Sequence, residues 1–205
     1  MVEPHNTHFS VGPNNSPSRL IIGITGASGS ILGIRLLEAL RSTPIETHLV
    51  LSESAPRTIL QETDFKVEDV LSLSDMHYDF HDIGASLASG SFTTLGMVII
   101  PCSIKTLSAV ANSYTDDLIS RAADVTLKEG RKLVLVVRES PYHPGHLRLM
   151  SEAATAGAVI FPPVPAFYNR PSSVDDIVNN TVGRVLARMG IKNNLYQEWK
   201  GQPSE

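Results

Sequence analysis

Cysteine occurs once in the 205 residues, as Cys102, tryptophan once, as Trp199, and aromatic residues make up only 6%. A lone cysteine excludes an intrachain disulfide framework and suits a reducing compartment, so a cytoplasmic location is expected. Positive charge is also short: 17 Lys and Arg stand against 21 Asp and Glu, for a formal net charge of −4. Without a basic stripe or an arginine-rich run there is no electrostatic footprint for nucleic acid. No apolar run is long enough to span a bilayer, and residues 1–18 show neither an apolar core nor an Arg-rich amphipathic pattern.

Several signatures of common chemistry are missing as well. There is no G-x-x-x-x-G-K-[ST] segment for nucleotide hydrolysis and no G-x-S-x-G elbow for acyl transfer. The seven histidines form no metal set: His77 and His81 are spaced i,i+4 without an H-E-x-x-H context, and His143 and His146 flank Pro144 and Gly145. No metal is predicted.

What remains is a chain with 42% apolar residues and no internal repeat, enough for one compact core. Residues 1–18, with Pro13, Asn14, Asn15, Ser16 and Pro17, read as a polar, disordered extension, residues 19–200 as a single domain and 201–205 as a solvated tail.

The most informative stretch is 19–40, where an apolar run stops at Thr25-Gly26-Ala27-Ser28-Gly29 and helical periodicity starts at once. This predicts a strand, a tight glycine turn and a helix whose free N–H groups and positive dipole end face an anionic or flavin-like ligand. A bend that merely packs a helix on a sheet fits the same residues. It is not a G-x-G-x-x-G fingerprint, because Ser28 stands where the second glycine belongs and the next glycine is Gly33. Ordinary NAD binding is disfavoured.

Further short apolar runs at 46–52, 96–102, 132–138 and 158–161 predict buried parallel strands. Amphipathic stretches at 54–62, 103–112, 117–129, 144–156 and 174–189 alternate with them. The fold class is therefore α/β, a doubly wound, mostly parallel sheet with helices on both faces, Rossmann-like or flavodoxin-like. Ligands of such sheets collect beyond the carboxyl ends of the strands, here Thr25 to Ser28, Ser52-Glu53, Pro101-Cys102-Ser103 and Arg138-Glu139.

Each chemically suggestive residue in that crevice also has a plain structural reading. Ser103 and Thr106 either cap a helix or bind a ligand, and a lone Cys102 reads as a small buried hydrophobe. Arg121 and Lys128 share a helical face, either bridged to Asp117 and Asp124 at i,i+4 or clamping a phosphate. Arg138 and Glu139 form either a salt bridge or an anion-and-proton pair. The rigid loop 162–169 carries Phe167 and Tyr168 and can wall a pocket, Arg184 reads as an exposed helical arginine, and Trp199 as a packing anchor.

Taken in order, TGASG, PCSIKTLSAVANSYTDDLISRAADVTLKEGRKLVLVVRES, HLRLM and PPVPAFYNRPSSVDDIV closely resemble the UbiX/Pad1-type flavin prenyltransferases, formerly described as aromatic-acid decarboxylases. The resemblance runs from Arg19 to the Trp199 region. It implies a subunit that binds reduced FMN and joins a dimethylallyl group from dimethylallyl monophosphate to flavin N5 and C6. The prenylated FMN would serve UbiD-type decarboxylases, and the subunit would assemble as a homododecamer with sites completed across subunit contacts.

Carried over by matching residue, the resemblance puts Gly26, Ala27, Ser28, Ser52, Ser103, Ile104, Lys105, Thr106 and Arg138 on FMN. It gives Arg121, Lys128, Glu139, Tyr168, Arg184 and Trp199 to the prenyl phosphate, with Ser28, Glu62, Lys128 and Glu139 as catalytic candidates. Two departures stand out: Glu53 follows Ser52 where many family members carry lysine, and Pro56 interrupts the start of the next helix. A flavin-dependent cysteine decarboxylase would carry a PASANT-like segment and a Met-rich motif instead. A mere flavin carrier would have no use for Lys128, Glu139, Tyr168 and Arg184.

Overall fold

A computed structural model describes residues 18–199 and 201; the expected polar extension and tail lie, apart from Ser18 and Gly201, outside them. The strands are β1 (Ser18–Ile24), β2 (Ile45–Leu51), β3 (Met76–Tyr78), β4 (Gly96–Cys102), β5 (Lys132–Val137) and β6 (Val159–Ile160). All neighbouring pairs are parallel, in the order β3-β2-β1-β4-β5-β6. Alternate residues of β1 feed opposite faces: Leu20, Ile22 and Ile24 join one apolar cluster and Ile21 the other. Burial on both faces explains why β4 is buried throughout and reads as an unbroken apolar run.

The first face is covered by α1 (Ser30–Leu40), α2 (Ala55–Glu62), α3 (Val67–Leu71) and α7 (Val174–Met189), the second by α4 (Ile104–Ala111), α5 (Leu118–Lys128) and α6 (Pro144–Thr155). Three elements escaped the sequence reading: a 3-10 turn at Ser86–Ala88, α3 and β3. All are short, and β3 is edge-placed and partly exposed, so none carries a full hydrophobic period. Pro56 occupies the first turn of α2, where a missing N–H leaves no gap in the helix. Gly33 lets α1 lie close to the sheet, because a Cβ there would sit 2.5 Å from Ile100 O.

Strand order reverses between β1 and β4, which opens a crevice at their carboxyl ends. Thr25, 1% exposed, ties that point together. Its hydroxyl donates to Pro101 O at 2.7 Å and accepts from Ser103 N at 2.9 Å. The sequence reading treated Thr25 only as part of the turn, since a single threonine gives no signal of such a bridge.

Candidate active site

A cleft of about 570 Å³ opens beside this crevice. Ser52 and Glu53 from the end of β2 form one wall, Ser103, Lys105 and Thr106 from the start of α4 another, and Phe80 an aromatic side. Asn112, Tyr114 and Asp116 from the loop between α4 and α5 line its far end, and no sequence signal had marked them. At α4 the capping and ligand readings of Ser103 are compatible: its Oγ accepts from Thr106 N at 3.3 Å and lies 3.1 Å from Thr106 Oγ1. Lys105 is exposed at the mouth, and Ile104 opens the helix. One ammonium with several hydroxyls beside an aromatic wall suits a phosphate ester carrying a planar ring, so this donor set fits FMN.

The glycine turn behaves differently from expectation. Gly29 starts α1 in the left-handed region, at φ 100°, where no side-chain hydroxyl caps the helix. The cap comes from far along the chain, because Glu62 Oε2 accepts from Gly29 N at 2.8 Å, from Ser30 N at 3.2 Å and from Ser30 Oγ at 3.1 Å. Glu62 thus takes the N–H groups of Gly29 and Ser30 at the amino end of α1, a partner that the spacing of the motif does not reveal. Ser28 is no cap either, since Gly29 occupies the cap position; its hydroxyl acts on the Glu62 carboxylate. Burial works against the Glu62 charge, but the bonds from Ser28, Gly29 and Ser30 outweigh it and hold the carboxyl below the ordinary range. Gly26 lies against Ser54, whose Oγ would sit 2.1 Å from a Cβ, and Ala27 is half-buried beside it.

The pairings expected along α5 are not the ones formed. Arg121 Nη1 donates to Asp124 Oδ2 at 3.2 Å, three residues further along the helix, and not to Asp117 four residues before it. Asp117 instead caps α5, accepting from Ser120 N at 2.8 Å. Lys128 pairs with Glu129 in the last turn of α5, which leads into the start of β5. It therefore sits at the opposite end of the sheet from Arg138, which follows the carboxyl end of β5. Arg138 is exposed, and Glu139 Oε1 accepts from Ser140 N at 3.0 Å. Among the described residues Arg138 and Glu139 do not pair with each other, so the salt-bridge reading of that dipeptide fails. His77 lies in β3 and His81 in the loop beyond, so their spacing marks no shared helical face; His81 Nε2 meets Glu53 Oε1 at 3.1 Å.

A second cleft, of about 460 Å³, gathers three further candidates: Tyr168, Arg184 and Trp199 line it together with Asn180 and Thr181. Tyr168 and Trp199 meet edge to face with centroids 5.6 Å apart. Arg184 projects from α7 with its guanidinium carbon 5.5 Å from the Tyr196 ring centre. Within one chain Ser52, Ser103, Lys105 and Thr106 line the first cleft and Tyr168, Arg184 and Trp199 the second, while the glycine turn, Glu62, Ile104, Arg121, Lys128, Arg138 and Glu139 line neither.

Cys102 is fully buried at the end of β4, and burial pushes its thiol far above the ordinary range. Among the described residues no group of three or more His, Cys, Asp or Glu could hold a metal ion.

The Flavoprotein family model matches residues 8–186. The chain is 60% identical over 186 residues to flavin prenyltransferase UbiX of Escherichia coli K12, covering 89% of this chain and 98% of that protein. It is 47% identical over 199 residues to the mitochondrial flavin prenyltransferase PAD1 of Saccharomyces cerevisiae, covering 97% and 82%. Among solved structures it is similar to AnUbiX (PadA1) in complex with FMN and dimethylallyl pyrophosphate, with a TM-score of 0.90, 47% identity and coverage of 91% and 100%. A dodecameric FMN-dependent UbiX-like decarboxylase from E. coli O157:H7 aligns with a TM-score of 0.87 at 49% identity, covering 89% and 100%.

Proposed function

This chain belongs to the UbiX/PAD1 family of flavin prenyltransferases, and we propose that it transfers a dimethylallyl group from dimethylallyl monophosphate to reduced FMN. The observation that carries this reading is the pair of clefts, one with donors for a flavin phosphate and one in which an arginine and a tyrosine hydroxyl face an apolar, aromatic enclosure. When bound, reduced FMN supplies the N5 and C6 atoms that the prenyl group joins, and the prenylated flavin passes to UbiD-type decarboxylases.

Ser52, Ser103, Ile104, Lys105 and Thr106 hold the flavin, with Gly26, Ala27 and Ser28 offered by the glycine turn and Arg138 closing over it. Tyr168 and Arg184 hold the prenyl phosphate, and Lys128 and Arg121 add positive charge from a neighbouring copy in a homododecamer. A monophosphate leaves poorly unless donors aimed at its oxygens take up the developing charge, which is the role assigned to Lys128, Tyr168 and Arg184. The allylic carbon left behind carries positive charge, and the rings of Tyr168 and Trp199 stabilise it while excluding water. Glu139 moves protons at the phosphate, and Glu62 fixes Ser28 toward the flavin.

The working domain in this reading is residues 19–200. The chain works in the cytoplasm, where a reducing environment suits Cys102; the yeast relative is named as mitochondrial, and cell fractionation decides between the two. Among the described residues no helix is long and apolar enough to cross a membrane.

The direct test is anaerobic incubation with reduced FMN and dimethylallyl monophosphate, followed by mass spectrometry of the extracted flavin. An added C₅H₈ unit is expected. Unmodified FMN recovered from folded, flavin-loaded protein would refute the reading.

A further inference from the structure

Helix α7 carries a polar side chain whose burial has no internal explanation. Asn180 is only 6% exposed, and among the described residues its Nδ2, shielded from solvent, has no hydrogen-bond partner. An amide in such a position loses its bonds to water without replacement, a cost that native proteins accept chiefly where a ligand, ion or water completes the set. Its neighbours show no such deficit. The Thr181 hydroxyl donates to Ile177 O at 2.9 Å, and Asn179 accepts from Arg35.

Asn180 lines the same cleft as Tyr168, Arg184 and Trp199. It precedes Arg184 by one helical turn, so amide and guanidinium share a face of α7. No acidic side chain lines this cleft, and among the described residues Arg184 makes no ion pair. The cleft therefore presents a cation, an amide and a phenol against apolar walls of Phe161, Pro162 and Val164. That combination matches an anionic head with a short apolar tail.

We infer that Asn180 is a further substrate-binding residue, its amide turning about χ2 so that the N–H shielded in the free protein reaches a phosphate oxygen of an allylic phosphate monoester beside Arg184. This rests on the assignment of the cleft to the prenyl phosphate made above. The donor is neutral and set by the helix, so it orients the phosphate in the bound substrate and the departing product alike. Its loss raises KM more than it lowers kcat.

Trp199, the sole tryptophan, lines the cleft and reports its occupancy through its emission. FMN-loaded protein is titrated with dimethylallyl monophosphate, comparing wild type, Asn180→Leu and Arg184→Ala. Asn180→Leu keeps the side-chain volume and removes an unmet polar group. It is expected to weaken binding about tenfold to a hundredfold, with FMN affinity unchanged and a Tm equal to or above that of wild type. Wild-type affinity in Asn180→Leu, alongside lost binding in Arg184→Ala, overturns the role of Asn180 and leaves the cleft assignment standing. A wild-type protein that forms product without any saturable Trp199 response overturns both. Should Asn180→Leu fail to fold, Asn180→Ala and Asn180→Ser carry the comparison: the serine hydroxyl restores part of the affinity lost with alanine, and wild-type affinity in both overturns the inference.

Discussion

Glu62 Oε2 accepts a hydrogen bond from the backbone N–H of Gly29 at 2.8 Å across 33 residues of sequence. The last residue of α2 thereby ties α2 to the amino end of α1.

Removing that carboxylate exposes the coupling. Glu62→Ala strands the N–H groups of Gly29 and Ser30 and should cost about 1 kcal/mol, the low end for such bonds because water reaches the site. Urea unfolding with an unchanged m-value checks it. The folded protein holds Glu62 below the ordinary carboxyl value of 4.5, so its stabilisation is complete above that value and is lost as acid protonates it below. Glu62→Gln should flatten this acid limb of the stability curve.

Glu53 places a negative charge on the wall of the first cleft. Glu53, Asp116 and Asp117 line the cleft together with one lysine, Lys105. Glu53→Lys should tighten FMN binding several-fold at low salt, with the gain fading as ionic strength rises. The exposed Glu53–His81 pair contributes little to folding, so Tm should hardly move. Flavin fluorescence quenching across a salt series measures the first effect.

His48 makes the fold sensitive to mild acid. Burial lowers its pKa below 6.5, partly offset by Glu46, whose Oε1 lies 2.9 Å from Nε2 but off the hydrogen-bonding direction. Arg19 and Asp75 are the other charges acting on it, and Nδ1 lies 2.8 Å from Tyr78 Oη. The unfolded chain takes up a proton more readily than the folded one, so stability should fall as pH drops below 6.5. His48→Gln, which still reaches Tyr78, should remove that component in thermal melts across the range.

Close packing of α1 depends on Gly33. An alanine Cβ would lie 2.5 Å from Ile100 O and 2.8 Å from the Ile24 side chain, and the carbonyl belongs to a central strand that cannot yield cheaply. Gly33→Ala should cost about 1–3 kcal/mol, a fall in Tm of about 2–4 °C per kcal/mol, read by calorimetry.

Lys128 pairs with Glu129 at the far end of the sheet from Arg138. Lys128→Ala should slow product formation about 10²-fold or more while FMN loading stays normal. Mixed oligomers of Lys128→Ala with Arg184→Ala should recover activity, which a single-chain site would not allow. Single-turnover assays on the mixed and unmixed proteins separate the outcomes.

The sequence by itself determined the fold class and which strand ends gather along one edge of the sheet. Apolar runs such as 96–102 and the strand-turn-helix at 19–40 encode local periodicity, and parallel strands joined by helices leave few ways to stack. The order of motifs also sufficed for the family. Only the tertiary structure decided partners: that Glu62 reaches the amino end of α1, that Arg121 meets Asp124, and that, among the described residues, Arg138 and Glu139 stay apart and Asn180 Nδ2 is unpaired on a residue lining the cleft with Arg184. Helical spacing limits which side chains can meet within one segment. It says nothing of contacts 33 residues apart, nor of which buried polar atom is left without a bond, because both depend on how the layers dock.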